Sequence, residues 1–358
     1  MVKKNDFGED KRSAFEAKTE AQKIAFGPVM FQAARALRNL GILDMVSESG
    51  KAGISSSEIS SRLQISRYGV EVLLDAGLSM GAVMLRDEKY VLTKTGYFLL
   101  KDTMTQVNID FVHDVCYEPF FHLQESITNG RPEGLKVFGE WKTIYPALQF
   151  LPKEAKKSWF GFDHFYSDLA FPEITPILAA GNHKKLMDVG GNTGKFAIHC
   201  VSNIPGIAVT IVDLPDTLRE AERMMAVKGL SDRISFFAAD MLDPENELPE
   251  GYDAIWMSQF LDCFSEEQIL SILRRAARAM GDSTDLYILE LFWDRQKYEA
   301  SSYSLNATSL YFTCLANGNS RMYHSADMIR LIEAAGLKIV ETTDHIGVSH
   351  TLIRCRKA

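Results

Sequence analysis

The stretch "LMDVGGNTGKFAIHC", residues 186–200, has the pattern of a strand, a glycine-rich turn and the start of a helix. Its apolar run ends at Asp188 and Val189, and the turn contains Gly190, Gly191 and Gly194. Glycine is needed where a backbone bends sharply or lies close to a ligand. The turn is therefore the first candidate for a ligand site.

Complete phosphate-binding motifs are absent from this turn. The dinucleotide fingerprint G-x-G-x-x-G fails from either leading glycine, because Asn192 or Thr193 stands where its second glycine belongs. A Walker loop needs Ser or Thr after Gly-Lys, and Phe196 occupies that position. The ligand expected here is therefore not one held by a phosphate loop.

Acidic residues end two of the apolar runs that follow, Asp213 in "IVDLP" and Asp240 in "SFFAAD". A carboxylate at the end of a second strand can accept hydrogen bonds from ribose hydroxyls. Acidic strand ends suit a nucleoside without phosphates, and they tolerate a cation. S-adenosylmethionine (SAM), with its positive sulfonium, fits that description.

Short apolar runs alternate with helical segments from residue 184 to the end of the chain. This alternation predicts an α/β fold with a mostly parallel, doubly wound sheet, of the Rossmann-like kind. The runs are "KKLMDV", "AVTIVD", "RISFFAAD", "YDAIWM", "DLYILEL", "GLKIVETT" and "SHTLIRC".

A different pattern occupies residues 1–105, where helix, turn, helix and hairpin follow one another in the order of a winged helix. Ser55 and Glu58 fit a capping box at the start of one of these helices. The candidate recognition helix carries Glu71 and Asp75, which would face phosphates badly, so dimerisation or packing is favoured over DNA binding. Residues 106–183 are predicted to be a helical, aromatic-rich substrate-pocket segment ahead of the cofactor domain, 184–358.

Bulk properties narrow the class of protein further. The 358 residues favour two domains, and 46% hydrophobic with 24% charged residues is typical of a soluble globular chain. A net charge of −8 argues against a nucleic-acid partner. The polar N-terminus, the lack of a long apolar run and five scattered cysteines predict a cytoplasmic protein without a membrane partner. The histidines show no metal-ligand spacing, so we expect no metal site.

Six motifs in chain order resemble the plant-type O-methyltransferases, the family of caffeate, flavonoid and acetylserotonin methyltransferases. The resemblance implies SAM as cofactor with S-adenosylhomocysteine (SAH) as product, a small-molecule acceptor, and a homodimer formed through the winged-helix domain. The motifs are "LMDVGGNTG", "VDLP", "AADML", "YDAIWMSQFLDCFSEEQILSILRRAARAM", "LYILEL" and "NGNSRMYHSADMIRLIEAAGLKIVE".

Carried over by position, the resemblance assigns cofactor contacts along the strand ends. It implies methionine-end contacts around Gly190, ribose contacts at Asp213, and adenine contacts at Asp240 and Met241. Ser258 stands where the family usually has a lysine, which is a departure at one cofactor contact. The candidate cofactor-binding residues are Asp188, Gly190, Gly191, Gly194, Asp213, Leu214, Asp240, Met241 and Ser258.

Asp262 in "FLDCFSEE" aligns without a gap to the family's catalytic histidine. Glu290 matches the family's acid after the fifth strand, and Ser320 replaces a further acid before Arg321. A phenol has a pKa of ~10, and an aspartate of ~3.9 is a weaker base than a histidine of ~6.5. Burial among apolar neighbours would raise the pKa of Asp262 and improve it as a base.

Three interpretations of Asp262 follow. In the first, Asp262 is a tuned base, and the enzyme methylates a small, aromatic hydroxyl acceptor. In the second, the acceptor differs, being a more acidic hydroxyl, a carboxylate, an amine or the ring carbon of a phenol. In the third, which ranks lower, Asp262 is a helix cap or a solvated acid. A non-catalytic SAM-binding or winged-helix regulatory protein is the alternative of another class.

Overall fold

The computed structural model describes residues 10–230 and 232–358, so the first nine residues of the predicted N-terminal domain lie outside the described part. The chain divides into two compact units between His113 and Asp114. The boundary predicted at residue 105 falls inside the helix Thr103–Phe111. None of the helices within the described ranges is long and apolar enough to cross a membrane.

The N-terminal unit consists of seven helices and one hairpin among the described residues. Ser55 caps the fourth helix and exchanges hydrogen bonds with Glu58, as the capping-box pattern predicted. Asp87 and Glu88 adopt left-handed conformations at the hairpin tip. The elements are α1 (Ala14–Ala25), α2 (Gly27–Asn39), α3 (Ile42–Glu48), α4 (Ser56–Leu63), α5 (Arg67–Ser79), β1 (Val83–Arg86), β2 (Lys89–Leu92), α6 (Lys94–Lys101) and α7 (Thr103–Phe111).

A buried core supports this unit and fixes the winged-helix arrangement. Leu37, Ile42, Ile59, Val70 and Leu74 come from four successive helices and are all fully buried together. Helices α4 and α5 with the β1–β2 hairpin reproduce the predicted helix, turn, helix and wing. The fold predicted for this part of the chain is confirmed.

A helical segment leads into the second unit, which contains a seven-stranded sheet. The helices and strands are α8 (Leu123–Asn129), α9 (Ile144–Ala147), α10 (Lys153–Asp168), α11 (Phe171–Ala180), β3 (Lys185–Val189), α12 (Lys195–Asn203), β4 (Ala208–Asp213), α13 (Pro215–Lys228), β5 (Ile234–Ala238), β6 (Ala254–Ser258), α14 (Glu266–Ala279), β7 (Asp285–Glu290), α15 (Glu299–Tyr311), α16 (Ser325–Ala334), β8 (Leu337–Ile346) and β9 (His350–Lys357). Short single turns of helix lie at Pro119–His122, Glu133–Val137, Leu148–Phe150, Leu261–Cys263 and Trp293–Arg295, with wider turns at Val112–Cys116 and Phe312–Ala316.

The strands are arranged in the order β5-β4-β3-β6-β7-β9-β8. Strands β3 to β7 run parallel, and β9 is antiparallel to both of its neighbours. The order turns back at β3, which pairs with β4 on one side and β6 on the other. In open α/β sheets a ligand binds beyond the carboxyl ends of the strands at such a switch point.

Alternate residues of each central strand pack on opposite faces of the sheet. In β6, Ile255 and Met257 face the core formed with α14 and α16, whereas Ala254 and Trp256 face the core formed with α11 and α12. This period of two, with helices covering both faces, is that of a doubly wound sheet. The predicted Rossmann-like fold is confirmed.

Candidate active site

The glycine turn after β3 lies at the switch point of the sheet. Gly190 and Gly194 have φ of +78° and +80°, a left-handed conformation that favours glycine. A Cβ at Gly190 would approach Phe260 Cδ2 to 2.2 Å, and one at Gly191 would approach Asp188 Oδ2 to 2.7 Å. Because these glycines have no side chains, they leave a space against the backbone of the turn, here called the cradle. Larger residues would fill this space.

Asp213, at the end of β4, is oriented by this turn. Its Oδ2 accepts the N–H of Asn192 at 2.8 Å, and its Oδ1 accepts the N–H of Leu214 at 2.7 Å. Burial raises the pKa of Asp213, and these backbone bonds oppose that rise. The structure thus brings Asp213 and Leu214 to the edge of the glycine turn.

Asp188 is buried below the same turn, and its Oδ2 has no hydrogen-bond partner. Burial, with the neighbouring charge of Asp213, raises the pKa of Asp188 to about 8. An unpartnered buried carboxylate oxygen is costly. A donor or cation bound in the cradle would offset that cost.

The loop after β5 carries the two residues predicted at an adenine ring. Asp240 is exposed and accepts the N–H of Leu242, whereas Met241 is buried. The Met241 carbonyl accepts a 2.6 Å bond from Arg275, which also bonds the carbonyls of Asp243 and Asn246. Arg275 is a fully buried residue of α14 that fixes this loop. In the sequence, a single charged residue on the otherwise apolar face of this helix was the sign that Arg275 has a buried partner.

The turn Leu261–Cys263 holds Asp262 beyond the end of β6, after half-buried Ser258. Asp262 is 6% exposed and Glu290 is 1% exposed. Oε1 of Glu290 accepts the N–H groups of Phe260 at 3.0 Å and Leu261 at 2.8 Å. The two predicted catalytic acids therefore follow adjoining strands, and the Glu290 side chain holds the backbone immediately before Asp262.

Burial raises the pKa of both acids. The pKa of Asp262 rises to about 6, and that of Glu290 rises well above its usual range, because the charge of Asp262 adds to desolvation. Ser265, not Asp262, caps the next helix, through a capping box with Gln268. The interpretation of Asp262 as a cap or solvated acid is therefore wrong.

Sequence reasoning missed three side chains around this turn. Asn317 bonds the Cys263 carbonyl at 2.8 Å, and Tyr145 is within 3.4 Å of the same amide. Asp163 on α10 is the third, since burial and then the charges of Asp168 and Asp262 raise its pKa to about 7. They are distant in sequence from Asp262, so spacing could not reveal them.

Two histidines that could act as alternative bases, His164 and His324, have other environments. Desolvation lowers the pKa of His164, which lies 3.6 Å from Asp163. His324 caps α16, since its Nδ1 accepts the N–H of Ala326. In the parts of the chain that the structure describes, no group of three or more His, Cys, Asp or Glu could hold a metal ion.

Comparison with known families agrees with this geometry. Residues 18–90 match the Dimerisation2-like domain, and residues 120–338 match the O-methyltransferase domain. The chain belongs to the O-methyltransferase family. It is a SAM-dependent methyltransferase.

Two relatives of this methyltransferase are named for the aromatic compounds that they methylate. It is 26% identical to the L-tyrosine C(3)-methyltransferase of Streptomyces lavendulae, over 87% of this chain and 85% of that protein. It is 26% identical to the 3-hydroxy-5-methyl-1-naphthoate 3-O-methyltransferase of Streptomyces sahachiroi, over 80% of each. The crystal structure of SibL, a SAM-dependent methyltransferase, has the same fold, with a TM-score of 0.73, 23% identity and coverage of 95% of this chain and 99% of that one.

The residues at the carboxyl ends of β3 and β4 fit SAM as a ligand. The glycine turn leaves room for a ligand against bare backbone, and the unpartnered Asp188 oxygen needs a donor or cation. Asp213, fixed by two backbone bonds, is an acceptor for hydroxyl groups. The arrangement suits a cationic nucleoside, as the sequence predicted.

Replacing Gly190 by Ala tests the cradle, with Gly206→Ala as the matched control. Both glycines have left-handed φ, so both substitutions strain the backbone, but a Cβ at Gly206 meets nothing within 4 Å. We expect Gly190→Ala to displace Phe260 and weaken SAH binding at least tenfold, measured by calorimetry. Gly206→Ala should lose stability on heating and keep its SAH affinity. Equal SAH affinity in the two variants would contradict the proposed cradle.

Proposed function

We propose that this methyltransferase methylates a small phenolic acceptor and that Asp262 is the base that removes the phenolic proton. The observation that carries the proposal is the burial of Asp262, at 6% exposure, beside Glu290 at the switch-point edge of the sheet. This position supports a role opposite the cofactor and gives the aspartate the environment that a base requires.

Burial brings the basicity of Asp262 close to that of a histidine. With its pKa raised to about 6, Asp262 is ionised at neutral pH and accepts a proton far better than an exposed aspartate of ~3.9. Burial and then the charge of Asp262 raise the pKa of Glu290 well above its usual range, which favours the protonated form of Glu290. These shifts favour placing the negative charge of the pair on Asp262.

The cofactor residues have separate tasks in this proposal. Gly190, Gly191 and Gly194 leave space for the methionine end, with Asp188 beneath them. Asp213 accepts from the ribose, and its bond to the N–H of Leu214 keeps it oriented. Met241, held by Arg275, lies at the adenine together with Asp240. Ser258 takes the family's lysine position. When bound, SAM supplies an electrophilic methyl group on a positively charged sulfur.

The proposed reaction moves a proton from the acceptor to Asp262 and a methyl group to the acceptor. Asp262 takes the phenolic proton, and the phenolate oxygen would form a bond to the methyl carbon as the bond between that carbon and sulfur breaks, which would leave SAH as the second product. Asp163 and the hydroxyl of Tyr145 add polar groups near this turn, consistent with an acceptor that carries a hydroxyl. Turnover of any such phenol would exclude the non-catalytic and regulatory alternative.

Methylation of a ring carbon is the second candidate. The relative from Streptomyces lavendulae is named as a C(3)-methyltransferase of tyrosine, at 26% identity over most of both chains. Removal of the phenolic proton also makes the adjacent ring carbon nucleophilic, so the same base serves both outcomes. After methylation of that carbon, its hydrogen leaves as a proton and the oxygen regains one, which restores the phenol. Incubation with SAM and either L-tyrosine or a hydroxynaphthoate, followed by NMR of the product, distinguishes an O-methyl from a C-methyl group.

Asp262→Asn tests the base role. The amide cannot accept the proton, and we expect turnover of a methylated phenol to fall at least 100-fold, within the usual range for a general base. SAH binding should stay within about threefold, since Asp262 is not among the cofactor residues. Asp216→Asn, at an exposed aspartate, is the control and should keep full turnover. Normal turnover by Asp262→Asn would exclude Asp262 as the base.

The pH profile provides an independent check. Asp262 must be ionised to act, so kcat/KM should rise about tenfold per pH unit below its pKa of about 6 and level off above it. Steady-state rates between pH 4.5 and 8 measure this limb, with stability verified at each pH. A profile flat through this range, in a protein that stays folded, would argue against a titrating Asp262.

We further infer that the methyltransferase is a homodimer assembled through residues of its N-terminal unit. The Dimerisation2-like match covers residues 18–90, and Phe15, Ile24 and Val29 on α1 and α2 are large apolar side chains left exposed. Light scattering should give twice the 40.2 kDa chain mass. Ile24→Glu should shift the mass towards a monomer, whereas Leu85→Glu on the exposed wing should not. A monomeric wild-type protein would refute the inference.

A further inference from the structure

The catalytic turn is held by side chains from two other parts of the chain. Glu290 accepts the N–H groups of Phe260 and Leu261 at the start of the turn. Asn317, which follows the Phe312–Ala316 turn, donates to the Cys263 carbonyl at 2.8 Å, at the end of the turn. Asp262 lies between these two attachment points.

We propose that Asn317 is a positioning residue that fixes the orientation of Asp262, an inference that rests on the proposed function. Asn317 acts on Asp262 through the backbone of Cys263. The Cys263 thiol in turn lies 3.5 Å from Asp262 Oδ1, so a shift of Cys263 moves a hydrogen-bond partner of the base as well as the backbone that bears it.

The orientation of the Asn317 amide is determined by its surroundings. Its Oδ1 faces the N–H groups of Asn319 and Ser320, both at 3.0 Å, and these groups can only donate. The amide nitrogen must then point the other way, towards the Cys263 carbonyl and the Ser320 hydroxyl, each at 2.8 Å. Both N–H bonds and both acceptor positions of the amide are used.

Ser320 stands where the resemblance implies an acid, and its contacts support the turn without one. Ser320 is buried, and its hydroxyl accepts a bond from Asn317. A carboxylate there would add a further acid to a site where the pKa values of Asp262, Glu290 and Asp163 are already raised. The uncharged Asn317–Ser320 pair supports the turn without adding charge. Tyr145, 3.4 Å from the amide nitrogen, belongs to the same network.

Three variants separate positioning from general damage to the loop. Asn317→Asp keeps Oδ1 for the two loop N–H groups but replaces the donor to Cys263 by an oxygen. Asn317→Ala removes both functions. Asn319→Ala is the matched control, because Asn319 is an exposed asparagine in the same loop.

The first readout is amide hydrogen exchange of the peptide 259–265 in the free protein, followed by mass spectrometry. Loss of one net hydrogen bond should accelerate its exchange about tenfold in Asn317→Asp and Asn317→Ala, and not in Asn319→Ala. Calorimetry with SAH, in which both Asn317 variants should bind as the wild type does, verifies that the cofactor edge is intact. Unchanged exchange of this peptide in Asn317→Asp would overturn the proposal.

The second readout is turnover with a phenol that the wild type methylates. Misplacement of the base should lower kcat by about 100-fold in Asn317→Asp with KM nearly unchanged. The new carboxyl should also shift the acid limb of the pH profile to higher pH. The selective loss of kcat at nearly constant KM is the result that a purely structural role would not give. Wild-type kcat despite a loosened turn would overturn the proposal. Failure of the proposed function is seen separately, as normal turnover by Asp262→Asn.

Discussion

The carboxyl group of Glu290 connects the ends of β6 and β7, and the candidate active site depends on this connection. Its Oε1 holds the backbone of Phe260 and Leu261, so the chain leaving β6 is tied to the end of β7. Phe260 then packs against the turn at Gly190, where a Cβ would collide with its ring. One buried side chain thereby connects the glycine cradle, the catalytic turn and the last parallel strand.

This connection places two acids in a desolvated site, which disfavours their ionised forms. Desolvation raises the pKa of both acids, and the charge of Asp262 raises the pKa of Glu290 further. Hydrogen bonds from the Cys263 thiol and from its own backbone oppose the rise in the pKa of Asp262. In the proposed mechanism this environment matches Asp262 to proton transfer near neutral pH, which an exposed aspartate could not achieve.

The second constraint is geometric, and it comes from the loop around Asn317. The amide satisfies four partners at once and holds the end of the catalytic turn without introducing charge. Ser320 and Asp262 both depart from the family pattern, and Asn317 links the segments that carry them, through the Ser320 hydroxyl and the Cys263 carbonyl. An uncharged support beside an acidic base is electrostatically consistent, whereas a further acid would drive the pKa of Asp262 higher.

The sequence by itself determined the sheet, the winged helix and the cofactor class, because these follow from local patterns. Hydrophobic alternation, the Ser55 capping box, the glycine turn and the acids at successive strand ends are all read within short windows. The ungapped alignment also identified Asp262 and Glu290 as the residues to consider. Only the tertiary structure decided that Asp262 is buried, that Ser265 rather than Asp262 caps the helix, and that Asn317, Tyr145 and Asp163 surround it. Burial and pKa depend on which distant segments fold over a residue, and no local pattern encodes those contacts.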